Sequence, residues 1–166
     1  MQAILVGFMG SGKTTIGSLL AQKLKTQHYD LDDLIIQQAG RSITEIFAQS
    51  GEEYFRHLEQ QKLSQALTNK GILSTGGGTP TIAPNAAVLK ASSTPVIWLT
   101  AKDQTILERV TQDQSRPLVN DLDQNSLLQL KQKRETLYAA VADLTINTDY
   151  LTPLQIVQKI QEWLTN

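Results

Sequence analysis

Residues 7–14, Gly7-Phe8-Met9-Gly10-Ser11-Gly12-Lys13-Thr14, match G-x-x-x-x-G-K-[ST] at every fixed position. Glycines at this spacing let successive backbone N–H groups curl around phosphate oxygens, and a helix N-terminus behind them adds a positive dipole. Lys13 then reaches the β and γ phosphates of a nucleoside triphosphate, and Thr14 offers a hydroxyl to Mg²⁺. The competing explanation, a chance match in a glycine-rich turn, is weakened by context. The run lies between a strand-like segment, Ala3 to Val6, and a helical pattern of Ile16, Leu19, Leu20 and Leu24. Lys13 is expected on a solvated loop outside the core.

Tyr29-Asp30-Leu31-Asp32-Asp33 ends the second strand-like segment. Alternation along a strand sends Asp30 and Asp32 to one face, toward the crevice at the carboxyl ends of an open α/β sheet. One carboxylate can hold Mg²⁺ through water, and the other can accept a hydrogen bond, or the proton, of a substrate hydroxyl. An acidic helix cap is the alternative, most plausible for Asp33. After the third strand-like segment comes Ser74-Thr75-Gly76-Gly77-Gly78-Thr79. Three successive glycines make sense where a ligand approaches bare backbone; a flexible turn is the rival reading. Ser74 occupies the place where phosphate-loop enzymes ordinarily carry an aspartate. Mg²⁺ is therefore expected on Thr14, phosphate oxygens, water and Asp30. Four arginines remain, and singly each reads as a surface charge: Arg56 with Glu59 three residues on, Arg109, Arg116 before Pro117, and Arg134.

These groups need a scaffold. Short apolar segments recur at Ala3–Val6, His28–Leu31, Gly71–Ser74, Pro95–Leu99 and Asp143–Ile146, with helical patterns between them. Strands alternating with helices predict a parallel sheet covered on both faces. Ser42–Glu45 and Thr100–Asp103 read as capping boxes, and Thr152-Pro153-Leu154-Gln155 as a helix start with proline at its first position. Thr111 to Asp123 is too polar for an ordinary connection and reads as a mobile lid. With 166 residues, the chain is expected to form one domain. Its net charge of −1, with no basic tract, disfavours nucleic acid as a partner. The absence of cysteine fits a reducing compartment, and the apolar run Ala3 to Val6 is far too short to span a bilayer, so a cytoplasmic protein is expected. A monomer is the expected state.

In order and spacing, GFMGSGKTTIG, DLDD, GRSITEIF, GEEYFRHLE, STGGGT, SRPL, KRETLYAAVADLTI and the Thr152-Pro153 helix start together resemble the shikimate kinases across essentially the whole chain. That resemblance implies a three-layer α/β/α sandwich with a five-stranded parallel sheet ordered 2-3-1-4-5, a P-loop kinase of the nucleoside monophosphate kinase type. It also implies ATP-dependent phosphorylation of the 3-hydroxyl of shikimate, a step of aromatic amino acid biosynthesis. Carried over by position, Gly10, Ser11, Gly12, Lys13, Thr14, Thr15, Arg109, Arg116 and Pro153 would contact ATP. Arg109 would stack on adenine beside Pro153, and Arg116 would swing over the phosphates. Asp32, Arg56, Gly77, Gly78 and Arg134 would hold shikimate, the two arginines taking its carboxylate. Thr14 and, through water, Asp30 would serve Mg²⁺. Lys13, Asp32 and Arg116 would carry catalysis.

Two rivals are weaker. Another kinase on this fold, such as a gluconate kinase, would also receive a hydroxylated carboxylate, but the triple glycine and FRHLE fit the shikimate pattern better. A catalytically silent nucleotide-binding module would not need Lys13, Thr14, Asp30, Asp32 and Arg116 together.

Overall fold

Alternation along β1 (Ala3–Val6) divides the core in two. Ile4 and Val6 pack with Leu31, Ile35, Ile46 and Phe55 on one face, whereas Ala3 and Leu5 pack with Ile16, Leu20, Ile156 and Ile160 on the other. All four residues of the strand are fully buried, which is why it reads as a continuous apolar run. Truncating Leu5 to alanine would cost roughly 2–5 kcal/mol.

The computed structural model describes residues 1–112 and 123–165. After β1 come α1 (Lys13–Lys23), β2 (His28–Asp30), α2 (Leu31–Ala39), α3 (Ile43–Leu67), β3 (Ile72–Ser74), a 3₁₀ turn (Thr79–Thr81) and α4 (Ala83–Ala91). β4 (Val96–Thr100), α5 (Asp103–Gln112), α6 (Gln124–Ala139), β5 (Leu144–Asn147) and α7 (Pro153–Thr165) complete them. The strands form a parallel sheet in the order β2-β3-β1-β4-β5, as expected. Helices cover both faces. No helix of the described residues is long and apolar enough to cross a membrane.

Local signals hold at several helix ends. Ser42 and Glu45 form a reciprocal capping box at the start of α3, and Gln155 and Thr152 do the same for α7. α3 is two helices joined at Gly51, where φ is 79° and ψ is 172°. Thr100, however, caps nothing. It closes β4, its carbonyl accepts from Thr148 N–H, and the Asp103 carboxylate bonds Lys131. The lid expectation is also narrowed: Thr111 belongs to α5, and Asp123 caps α6 by accepting from Ser126 N–H. Residues 113–122 of that stretch, Arg116 included, lie outside the described residues.

Candidate active site

Strand register levels the carboxyl ends of the sheet. Asp30 pairs with Ser74 and Ser74 with Leu5, so the segments leaving β1, β2 and β3 emerge side by side. Gly7 to Gly12 curl from β1 into α1, with Gly10 at φ 77° and Gly12 at φ 95°, backbone angles that L side chains rarely adopt. Lys13 is buried, contrary to the solvated placement expected: its Nζ donates to the carbonyl oxygens of Gly7 (2.9 Å) and Phe8 (3.0 Å). The loop thus supplies in-place acceptors for the buried ammonium. Thr14 and Thr15 are exposed on the first turn of α1.

Asp30 and Asp32 do converge here, but strand alternation is not the reason. β2 stops at Asp30, which N-caps α2: its Oδ1 accepts from Asp32 N–H at 3.1 Å. Its Oδ2 accepts from the Thr14 hydroxyl at 2.9 Å. Asp32 sits in the first helical turn, where a carboxylate is favoured by the helix dipole. The cap is therefore Asp30 and not Asp33.

The triple glycine is the centre of the opposite wall. A Cβ on Gly76 would lie 2.9 Å from Asp32 Oδ1, one on Gly78 would lie 2.9 Å from Arg56 Nη2, and one on Gly77 would lie 3.8 Å from Arg134 Nη1 and 3.5 Å from Met9 N. One carboxylate and two guanidinium groups thus face three consecutive bare backbone positions, next to the phosphate loop. Arg134 also lies over the Phe8 ring, 5.9 Å from its centroid.

Arg56 is held in place. Its Nη1 donates to Glu59 Oε2 at 2.9 Å, and Glu52 Oε1 accepts at 3.3 Å. The sequence suggested a surface pair, yet Glu59 is only 1% exposed. Its other contacts are hydrogen bonds from Thr79 Oγ1 (2.8 Å) and Asn85 Nδ2 (3.1 Å). Three donors converge on one buried carboxylate, which locks Arg56 to the turn that follows the glycines.

Tyr138, four residues after Arg134 and fully buried, donates to the Gly77 carbonyl at 2.7 Å and packs on Trp98. Burial pushes its phenol up to about 12, against the lowering influence of Arg134. Arg109 Nη1 bridges Gly10 O (3.2 Å) and buried Thr148 Oγ1 (3.1 Å), tying the phosphate loop to the segment after β5. Pro153 opens α7 beyond that segment and is exposed. Glu59, Thr79, Asn85, Tyr138 and Thr148 were not singled out by sequence as parts of the site. The i,i+3 spacing of Arg56 and Glu59 was read as a surface pair, and the i,i+4 spacing of Arg134 and Tyr138 is the one signal that could have brought Tyr138 in.

The hard-oxygen pair of Thr14 and Asp30 suits Mg²⁺, which ordinarily takes one or two protein oxygens and completes its shell with water and phosphate. A phosphate loop at the switch point of a parallel sheet, opposite a carboxylate and two fixed guanidinium groups, defines a P-loop kinase acting on a small anionic acceptor. The shikimate kinase family model matches residues 9–165. A shikimate kinase of Limosilactobacillus fermentum is 42% identical over 165 residues, covering 99% of this chain and 95% of that protein. One of Enterococcus faecalis is 40% identical, covering 97% and 96%. The structure of shikimate kinase from Acinetobacter baumannii in complex with shikimate superposes with a TM-score of 0.90 at 36% identity, over 98% of this chain and 92% of that one. This chain belongs to the shikimate kinase family.

Proposed function

We propose that the chain transfers the γ-phosphoryl group of ATP to the 3-hydroxyl of shikimate, giving ADP and shikimate 3-phosphate. The observation that carries this reading is the wall in which Asp32, Arg134 and Arg56 meet Gly76, Gly77 and Gly78 in turn. Two guanidinium forks suit bidentate pairing with an acceptor carboxylate, and Asp32 suits a hydroxyl. The bare glycine backbone leaves room for a ring between them.

In the reaction, the acceptor oxygen bonds to the γ phosphorus as the bond from that phosphorus to the β–γ bridging oxygen breaks, and ADP leaves. Asp32 orients the acceptor hydroxyl or takes its proton. Lys13 exchanges its loop carbonyls for phosphate oxygens, and the backbone N–H groups of Gly10, Ser11 and Gly12 cradle the chain of phosphates. Mg²⁺ would be held by Thr14 directly and by Asp30 through water, and it neutralises charge on the phosphates when bound. Arg109 and Pro153 flank the adenine, and Arg116 keeps the phosphate-facing role that the family resemblance implies. The cytoplasmic, monomeric state belongs to the same proposal.

An ADP-release assay against a panel of shikimate, quinate and gluconate tests the reading. Turnover should be highest with shikimate. Preference for gluconate would move the chain to another acceptor class.

A further inference from the structure

We propose that His28 and Ser74 form a positioning chain behind the phosphate loop, fixing the first turn of α1 for Mg²⁺-nucleotide binding. The inference rests on the ATP reading above. His28 and Asp30 lie two apart on β2 and so share the face toward α1. Asp30 receives the Thr14 hydroxyl. His28 Nε2 lies 2.9 Å from Ser74 Oγ, and that hydroxyl donates to the Lys13 carbonyl at 3.0 Å.

The direction of this chain follows from proton counting. Ser74 has one hydroxyl proton, and a carbonyl can only accept, so that proton belongs to Lys13 O. His28 Nε2 must therefore carry hydrogen and donate to Ser74. Two parallel links then run from β2 to consecutive residues of α1, one through Asp30 to Thr14 and one through His28 and Ser74 to Lys13. Gly17 leaves the space: a Cβ there would stand 2.5 Å from His28 Nε2 and 2.6 Å from Ser74 Oγ. Ser74 is fully buried, so no solvent substitutes for its partners. The position that commonly supplies an acidic side chain to the metal here supplies a hydroxyl to the backbone. The anchoring of Thr14 passes to Asp30.

Three variants test this on the full chain: His28→Phe fills the space without a donor, His28→Gln keeps an N–H near the same point, and Ser74→Ala removes the relay. Calorimetric titration with Mg·ADP and steady-state kinetics are read together. His28→Phe and Ser74→Ala should each weaken Mg·ADP binding and raise the KM for ATP by roughly fivefold, the scale of one hydrogen bond. The KM for shikimate should stay within about twofold, because the side chains that face its wall, Asp32, Arg56 and Arg134, stand on α2, α3 and α6 and bond neither His28 nor Ser74. His28→Gln should restore most of the loss, and the double variant should be no worse than Ser74→Ala alone. Imidazole ¹⁵N shifts should report the Nε2–H tautomer. Wild-type Mg·ADP affinity in His28→Phe, an equal loss for both substrates, or an Nδ1–H tautomer would overturn the chain. Failure of the wild type to bind Mg·ADP would instead bring down the ATP reading on which it rests.

Discussion

Gly78 stands against the guanidinium of Arg56: a Cβ at residue 78 would meet Nη2 at 2.9 Å and Nη1 at 3.1 Å. Glu59 and Glu52 hold that guanidinium from behind, so it cannot withdraw without giving up an ion pair. Gly78→Ala should therefore fold and bind nucleotide normally while its KM for shikimate rises. Displacing one charged hydrogen bond costs about 1.5–3 kcal/mol, or roughly 10–150-fold. Steady-state kinetics with each substrate varied in turn will check the split.

Glu59→Gln should act on the same substrate from a distance. All three groups around Glu59 are donors in the native state, and an amide brings donors of its own to one end. The Thr79 hydroxyl must turn to accept, and Arg56 loses the buried one of its two charged partners. A stability loss of about 1–3 kcal/mol is expected in chemical denaturation, together with a raised shikimate KM and an unchanged KM for ATP.

Lys13→Met should abolish transfer, and it should also lower stability, since the carbonyls of Gly7 and Phe8 lose a buried donor. Melting temperature and turnover measured on the same preparation will show both. Near-normal turnover at saturating ATP would remove Lys13 from the chemistry.

Tyr138 gives the protein an alkaline limit. Its phenol ionises near 10 in the unfolded chain but only at about 12 in the fold, because burial disfavours the phenolate. Between those values the unfolded state has lost a proton that the folded state keeps, so this contribution to stability is complete below pH 10 and falls as pH rises toward 12. Two units correspond to about 2.7 kcal/mol. Ultraviolet titration should show a phenol ionising at about 12 that is missing from Tyr138→Phe, and that variant should flatten the alkaline slope of the denaturation midpoint.

Much of the fold was legible because sheet strands buried on both faces announce themselves as apolar runs, and Ala3–Val6 was read to the residue. The phosphate loop was legible because its chemistry fixes the spacing. Asp32 was placed beside Asp30 by the wrong route: β2 is three residues long, and the capping power of Asp30 ends it before alternation can reach Asp32. Glu59 looked like a surface partner of Arg56 because the residues that bury its carboxylate, Thr79 and Asn85, come from elements 20 and 26 residues away. Thr100–Asp103 had the letters of a capping box, but pairing with β5 kept Thr100 in the strand. His28 carried no signal, since its meaning depends on Ser74 of the neighbouring strand β3 and Gly17 of α1 meeting it in space.

The most direct test of the central claim is the identity of the product. The enzyme is incubated with ATP, Mg²⁺ and shikimate, and the phosphorus–proton couplings of the product are read by NMR. Stoichiometric ADP and a single phosphorylated species, with phosphate on the 3-oxygen of shikimate, are expected. Phosphate on another hydroxyl, or ADP formed without any phosphorylated shikimate, would contradict that claim.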